Sequence, residues 1–235
     1  QDKKGNDDVR VVLHLHPALA PFKAAILPLS KKDVLAGPAM ELYNELSKEF
    51  MVDYDETGSI GKAYGYQLGV KHQYPEGEFD QVDRVLYDLK HNPASRRILT
   101  NIYTFEDLHE MALYPCAYSM TFNVSGNTLN AILNQRSQDM LAANNWNVVQ
   151  YAVLVHMFAQ VSGLQAGELV HVIADAHIYD RHVPVIEQLI QNEPKPAPQF
   201  FIDPDVHDFY AFTRDSFRVE GYEYSEFTGK IPIAV

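Results

Sequence analysis

The sequence predicts an α/β fold of the α+β kind, in which a mixed sheet holds a buried central helix and a partial βαβ unit comes first. Three stretches carry that expectation. Strand-like, helix-like and strand-like patterns succeed one another before Asp55, an order that calls for parallel pairing. Residues 117–124 are β-rich and run into the turn formers Ser125, Gly126 and Asn127, after which 129–135 reads as a return strand. Residues 147–160 are apolar on nearly every face, the mark of a buried helix.

Taken in order, the first eight residues form a polar arm. Residues 9–15 alternate as a strand does, and 23–29 is a short apolar run ended by Pro28 and the polar residues after it. His14 and His16 share one strand face, but two histidines without a third ligand read as ordinary strand residues rather than a metal pair. Gly37-Pro38 opens a helix whose apolar positions Met40, Leu42, Tyr43, Leu46 and Phe50 recur at helical spacing, and 51–54 is a strand. A second helix spans 79–90, with Phe79, Val82, Leu86 and Leu89 on one face and Asn92-Pro93 as its stop. Residues 98–103 are strand-like.

The helix at 147–160 is too short, and too interrupted by Gln150, His156 and Gln160, to span a membrane, and Asn144 and Asn145 read as its turn or cap residues. A strand follows at 169–174, a short helix at 184–191, an extended proline-rich connector at 193–198, and late strands at 200–202 and 217–219. The last residues, 231–235, form an apolar tail.

A chain of 235 residues, 46% of them hydrophobic, can build one large core or two small ones. Its formal net charge of -12 disfavours non-specific attraction to nucleic acid or membrane, while leaving room for a local basic pocket. The single cysteine excludes an intramolecular disulfide framework and an all-Cys metal site, as suits a reducing cytoplasm. No signal-like apolar run follows the charged start, so Asn123-Val124-Ser125 is an incidental glycosylation sequon and a cytoplasmic location is expected.

Chemistry concentrates between Leu113 and Asn147. A thiol attacks as thiolate, and a free Cys of pKa about 8.5 is mostly protonated at neutral pH, so Cys116 needs a cation nearby. The predicted hairpin brings Arg136 to it, with Ser137 and Asp139 alongside. Spacing alone favours Cys116 as a small buried hydrophobe and Arg136 as a surface or paired charge; the motifs around them reverse that preference. Arg96-Arg97, outside any helix, could aim two guanidinium forks at a phosphate. His177 and Tyr179, two apart, could offer hydrogen-bonding tips on one face, whereas His177 and His182 lack metal-ligand spacing, and no metal is expected.

From about 58 to 235 the chain resembles thymidylate synthases. The likeness rests on Tyr64-Gly65-Tyr66-Gln67, Ser95-Arg96-Arg97, Leu113-Tyr114-Pro115-Cys116, Gln135-Arg136-Ser137-Gln138-Asp139, Asn147, Asp175-Ala176-His177-Ile178-Tyr179 and Ile233-Ala234-Val235, all in the family's order. It implies reductive methylation of deoxyuridylate (dUMP) to dTMP, with the cosubstrate methylenetetrahydrofolate giving both carbon and hydride and with no metal.

By the same resemblance Cys116 adds to carbon 6 of the pyrimidine and Tyr64 handles a proton at carbon 5. Gln135, Arg136 and Ser137 lie at the nucleotide, Arg136 and Ser137 at its phosphate. Asn147 orients the uracil, His177 and Tyr179 hold the ribose hydroxyl, Asp139 meets the pterin, and Ala234 and Val235 close over the folate. Arg96 and Arg97 reach the phosphate of the partner subunit in a homodimer. Ala117 stands where many relatives have His.

A second resemblance covers about the first quarter of the chain. His16-Pro17-Ala18-Leu19-Ala20-Pro21-Phe22-Lys23, Leu27-Pro28-Leu29-Ser30-Lys31-Lys32 and the run from Asp53 to Lys62 are similar to the start of the anticodon-binding domain of glycyl-tRNA synthetase. It stops at Ala63-Tyr64. The chain therefore divides into an anticodon-binding-like segment, 1–57, and a synthase-like domain, 58–235, joined near a Gly-Ser-Ile-Gly stretch common to both families. The synthase family's opening residues are not identifiable in the first segment, so impaired turnover is expected. The competing expectations are a tRNA-binding fragment, which the acidic balance counts against, and an inactive chimera.

Overall fold

The computed structural model describes residues 24–26, 52–54, 64–111, 113–229 and 231. The expected strand at 9–15, the helix after Gly37-Pro38 and the residues Ala234 and Val235 lie outside them. The first two strands, β1 (Ala24–Ile26) and β2 (Val52–Tyr54), pair in parallel, Ala25 opposite Asp53. That is the pairing a βαβ unit requires.

Helix α1 (Tyr64–Gly69) leads into a hairpin of β3 (His72–Tyr74) and β4 (Gly77–Phe79), which the sequence pattern did not reveal. Helix α2 (Gln81–His91) starts where the Asp80 side chain accepts from the Asp83 amide, and it ends at Asn92 because Pro93 cannot continue it. Its buried residues are Val85, Asp88 and Leu89, with Phe79 placed in β4 instead of on the helix. Asp88 can be buried because Arg84 meets it at 2.8 Å while also reaching Glu76 and lying over the Tyr74 ring. The side-chain amide of Gln81 bonds both backbone groups of Asn101, which pins α2 to the edge of the main sheet.

That sheet runs in the order β5 (Leu99–Asn101), β6 (Ala117–Ser125), β7 (Thr128–Gln135) and β9 (Gln165–Ile173), with β8 (Gln138–Asp139) set aside. Neighbours are antiparallel except β7 and β9, so the sheet is mixed as expected. The β6–β7 turn needs Gly126, whose φ of 62° is costly for other residues. Two irregularities shape the sheet. One lies between Ala117 and Ser119, immediately after Cys116. The other gives β9 an extra residue opposite Leu129 to Ala131, where a Cβ on Gly167 would meet the Asn130 carboxamide, Thr128 and the Leu129 carbonyl.

Helix α3 (Asn144–Val161) crosses from the end of β8 to β9. It buries Tyr151, Val155, Phe158 and Ala159, an i, i+4, i+7, i+8 stripe, against the sheet. The all-round burial expected of it is not found, since Val149 is exposed: a single sheet covers a single side. Elsewhere the helix is covered by the C-terminal strands, with His156 against Phe200 and Gln160 donating to the carbonyls of Asp203 and Val206. Asn144 is the first helical residue and not a cap. The Asp139 carboxylate instead accepts from the amides of Leu141 and Ala142 and so holds the turn that feeds the helix.

The strand β10 (Ala176–His177) pairs with β8 in parallel, helix α4 (Val183–Leu189) follows, and β11 (Gln199–Ile202) and β12 (Phe217–Glu220) form an antiparallel pair. Among the described residues no helix is long and apolar enough to cross a membrane.

Candidate active site

Cys116 precedes β6 directly, and Arg136 follows β7 directly, so the hairpin carries both at its open end. The Arg136 amide bonds the Cys116 carbonyl, which closes the ladder there. The guanidinium then folds back. Its Nε donates to the Pro115 carbonyl at 3.0 Å, and its Nη2 donates to the Tyr114 carbonyl at 2.7 Å and lies 3.8 Å from the Cys116 sulfur. Two carbonyl anchors fix a permanent cation beside a half-buried thiol. Nη1 makes no hydrogen bond among the described residues and is available to an anion.

Beyond Arg136 the chain enters β8, where Gln138 is buried and Asp139 half-buried. Gln135 and Gln138 are bonded to each other; Gln135 also donates to the Ser137 carbonyl, and Gln138 to the Asp139 carbonyl. Asn147, on the first turn of α3, donates its side-chain N–H to Gln138 Oε1 at 2.9 Å. The parallel pairing of β8 with β10 puts His177 opposite Asp139.

Around that pairing three rings form a string. His177 meets Tyr179 edge-on at 5.2 Å, and Tyr179 meets His182 in the same way at 5.6 Å. His182 is 2% exposed and lies 3.9 Å from Asp139, while His177 lies 3.7 Å from Asp175. The spacing of His177 and His182 speaks only against metal ligation and says nothing of burial. Burial of a histidine beside the motif's carboxylate appears only when strand and turn are folded.

Of the residues singled out from sequence, Cys116, Gln135, Arg136, Ser137, Asp139, Asn147, His177 and Tyr179 therefore occupy one connected region. Arg96 and Arg97 do not join it. They are exposed ahead of β5, and neither guanidinium has a hydrogen bond or ion pair among the described residues. Tyr64 begins α1, but its side chain lies outside the described residues, as do Ala234 and Val235. His171 and Gln138 also belong to the site's bonding; a lone histidine in a strand carries no local signal. Among the described residues no three His, Cys, Asp or Glu side chains are grouped to hold a metal ion.

The arrangement gathers a thiol, a fixed cation, side-chain amides and a string of ring side chains in one region. A family model described as thymidylate synthase matches residues 31–235, starting ahead of Gly58 where the sequence motifs placed the boundary. The thymidylate synthase of Bacillus licheniformis is 44% identical over 172 residues, which is 73% of this chain and 62% of the relative. That of Bacillus atrophaeus is 41% identical over 188 residues, covering 78% of this chain and 83% of the relative. Among solved structures, the thermostable thymidylate synthase A from Bacillus subtilis superposes with a TM-score of 0.71 at 40% identity, covering 75% of this chain and 65% of that one. The chain thus spans less than two thirds of the Bacillus licheniformis relative and of the solved Bacillus subtilis chain.

Proposed function

The chain belongs to the thymidylate synthase family, and from that premise we propose that it acts on dUMP with methylenetetrahydrofolate, forming dTMP through a covalent bond from Cys116. The observation that carries the proposal is the Cys116–Arg136 pair, anchored through the carbonyls of Tyr114 and Pro115. Addition of the sulfur to carbon 6 turns carbon 5 into an enolate-like nucleophile able to attack the folate methylene. Arg136 supports the anionic sulfur and offers Nη1 to the nucleotide phosphate, with Ser137 beside it. Asn147 takes the pyrimidine edge, His177 and Tyr179 the ribose, and Asp139 the pterin. Tyr64 is assigned to proton handling at carbon 5, and Ala234 and Val235 to cover the folate. A cytoplasmic location accords with the lone free thiol.

Incubation with 5-fluoro-deoxyuridylate and methylenetetrahydrofolate tests this, because fluorine at carbon 5 cannot leave as a proton. The intact mass is expected to rise by one nucleotide plus one folate. An unchanged mass on a folded chain would overturn the proposal.

Two copies are proposed to assemble through the exposed apolar row of the main sheet. Leu99, Thr121, Ile132 and Val170 lie in one row across its four strands, and Leu99, Ile132 and Val170 are exposed, as is Val172 beyond them. Arg96 and Arg97, exposed and without a side-chain partner among the described residues, precede Leu99 in the chain, and they are proposed to reach the phosphate in a facing copy. Sedimentation at micromolar concentration is expected to give a dimer, and Ile132→Arg a monomer with an unchanged far-ultraviolet spectrum; a monomeric parent would contradict the assembly.

Residues 1–57 are read as a partial anticodon-binding-like unit, on the strength of their own motifs and the parallel β1–β2 pairing. The family match from Lys31 onward overlaps that unit. We assign it no tRNA-binding role, given the net charge of -12.

A further inference from the structure

Helix α1 has six residues and is too short to be stable on its own. Apolar packing does little to hold it. Gly65, Tyr66 and Gly69 are exposed, and Leu68 is only half-buried. Beside Leu68 an apolar cavity opens among Val82, Ile102, Met120, Tyr151 and Phe158, so the contact there is incomplete. Among the described side chains of α1, that of Gln67 alone is fully buried, at 3% exposure.

A buried amide needs partners at both ends, and Gln67 spends both on one loop. Its Nε2 donates to the Asp107 carboxylate at 2.8 Å, and its Oε1 accepts from the Thr104 hydroxyl at 2.7 Å. Its backbone carbonyl accepts from Gln81, the residue that also bonds Asn101 at the end of β5. One residue thus ties α1 to the start of α2 and to the loop after β5. That loop also supports the nucleophile. Tyr103, next to Thr104, meets the rings of Tyr114 and Tyr118 edge-on at 6.2 and 6.1 Å. The carbonyl of Tyr114 anchors Arg136, and Tyr118 stands in β6 two residues after Cys116.

We infer that Gln67 is a positioning residue: its clamp on Thr104 and Asp107 fixes α1 against the loop beside Cys116, and with it the start of the helix, where Tyr64 lies one turn ahead. The inference rests on the proposed nucleotide chemistry, in which Tyr64 handles the proton at carbon 5. Two stages of that chemistry then depend on different parts of the chain. Attack by sulfur and joining to the folate methylene use Cys116 and Arg136, which the β6–β7 hairpin carries. Afterwards the carbon 5 hydrogen leaves as a proton, which passes to water, and its bonding pair stays with the ring as an enolate. Only this second stage draws on α1.

The test compares two readouts on the full chain, with thermal melting alongside. Adduct formation with 5-fluoro-deoxyuridylate and methylenetetrahydrofolate needs no proton loss, whereas release of tritium to water from dUMP labelled at carbon 5 does. The parent is expected to give both. Gln67→Met, similar in size but without the amide, is expected to form the adduct at the parent's rate and to release tritium roughly a hundredfold more slowly, the scale of a small misplacement of a reacting group. Asp107→Asn keeps an oxygen for Gln67 and is expected to stay near the parent. Thr104→Val removes the other bond and serves where the methionine variant fails to fold; it is expected to slow tritium release in the same selective way. In a Tyr64→Phe background, Gln67→Met is expected to add no further loss. A folded Gln67→Met that releases tritium at the parent's rate, or that loses adduct and tritium alike, would overturn the clamp's role and leave the chemistry of Cys116 standing. So would a parent that forms the adduct but keeps the tritium. A parent that forms no adduct would overturn the nucleotide reading itself, and the clamp's role with it.

Discussion

Cys116→Ser is expected to remove the covalent adduct altogether and to lower turnover by roughly 10⁴-fold or more, the scale seen when a nucleophile is deleted from its machinery. The substitution is almost isosteric, so folding and nucleotide binding should survive it. The loss comes from chemistry. A serine hydroxyl needs a base to become a useful nucleophile, and Arg136, the cation anchored 3.8 Å from the sulfur, has five N–H donors and no acceptor. It can stabilise an anion but cannot take the proton that a hydroxyl would have to lose. Intact mass after incubation with the fluorinated nucleotide and the folate reads the result directly. An adduct on the serine variant would place the nucleophile elsewhere.

Phe122→Ala is expected to cost about 3–5 kcal/mol of folding stability, the range for deleting a buried aromatic ring. Phe122 is 1% exposed and meets Phe158 edge-on at 5.1 Å, and Phe158 in turn packs on Phe209. The ring thus joins β6, α3 and the segment that precedes β12. It also borders an apolar cavity shared with Leu68, Val82, Met120, Tyr151 and Phe158, so truncation would enlarge an existing void where neighbours cannot easily collapse. Urea unfolding should show a lower midpoint at unchanged slope. A midpoint within error of the parent's would show that the β6–α3 contact is not central to the core. Phe122→Leu, retaining most of the volume, should cost clearly less.

What was legible in the sequence is what short-range chemistry dictates. Alternation in β6 and β7 and the turn at Gly126 made the hairpin readable, and with it the meeting of Cys116 and Arg136, because a hairpin's two ends are close by construction. Asn92-Pro93 marked the end of α2, since a proline forbids the next helical turn. The motif residues Gln135, Ser137, Asp139, Asn147, His177 and Tyr179 could be listed because each sits in a recognisable run. The β3–β4 hairpin was missed because strands of three residues are too short to display a period. The helix at 147–160 was misjudged as covered all round because apolarity reports how much surface a helix can bury, while the neighbours decide how much it does. The start of α3 was misassigned because Ala143, a residue with no capping side chain, is its N-cap, and the turn before it is held by Asp139. Likewise His171 and His182 acquired meaning only from register. Strand β9 pairing with β7 sets His171 against Gln135, and β10 pairing with β8 brings the His182 turn to Asp139. By itself the sequence determined the family, the hairpin and the meeting of Cys116 with Arg136, all of them local in chain or in motif. The tertiary structure alone decided the hydrogen-bonded series of His171, Gln135, Gln138 and Asn147 and the approach of His182 to Asp139, because these join groups far apart in the chain that only folding brings within reach.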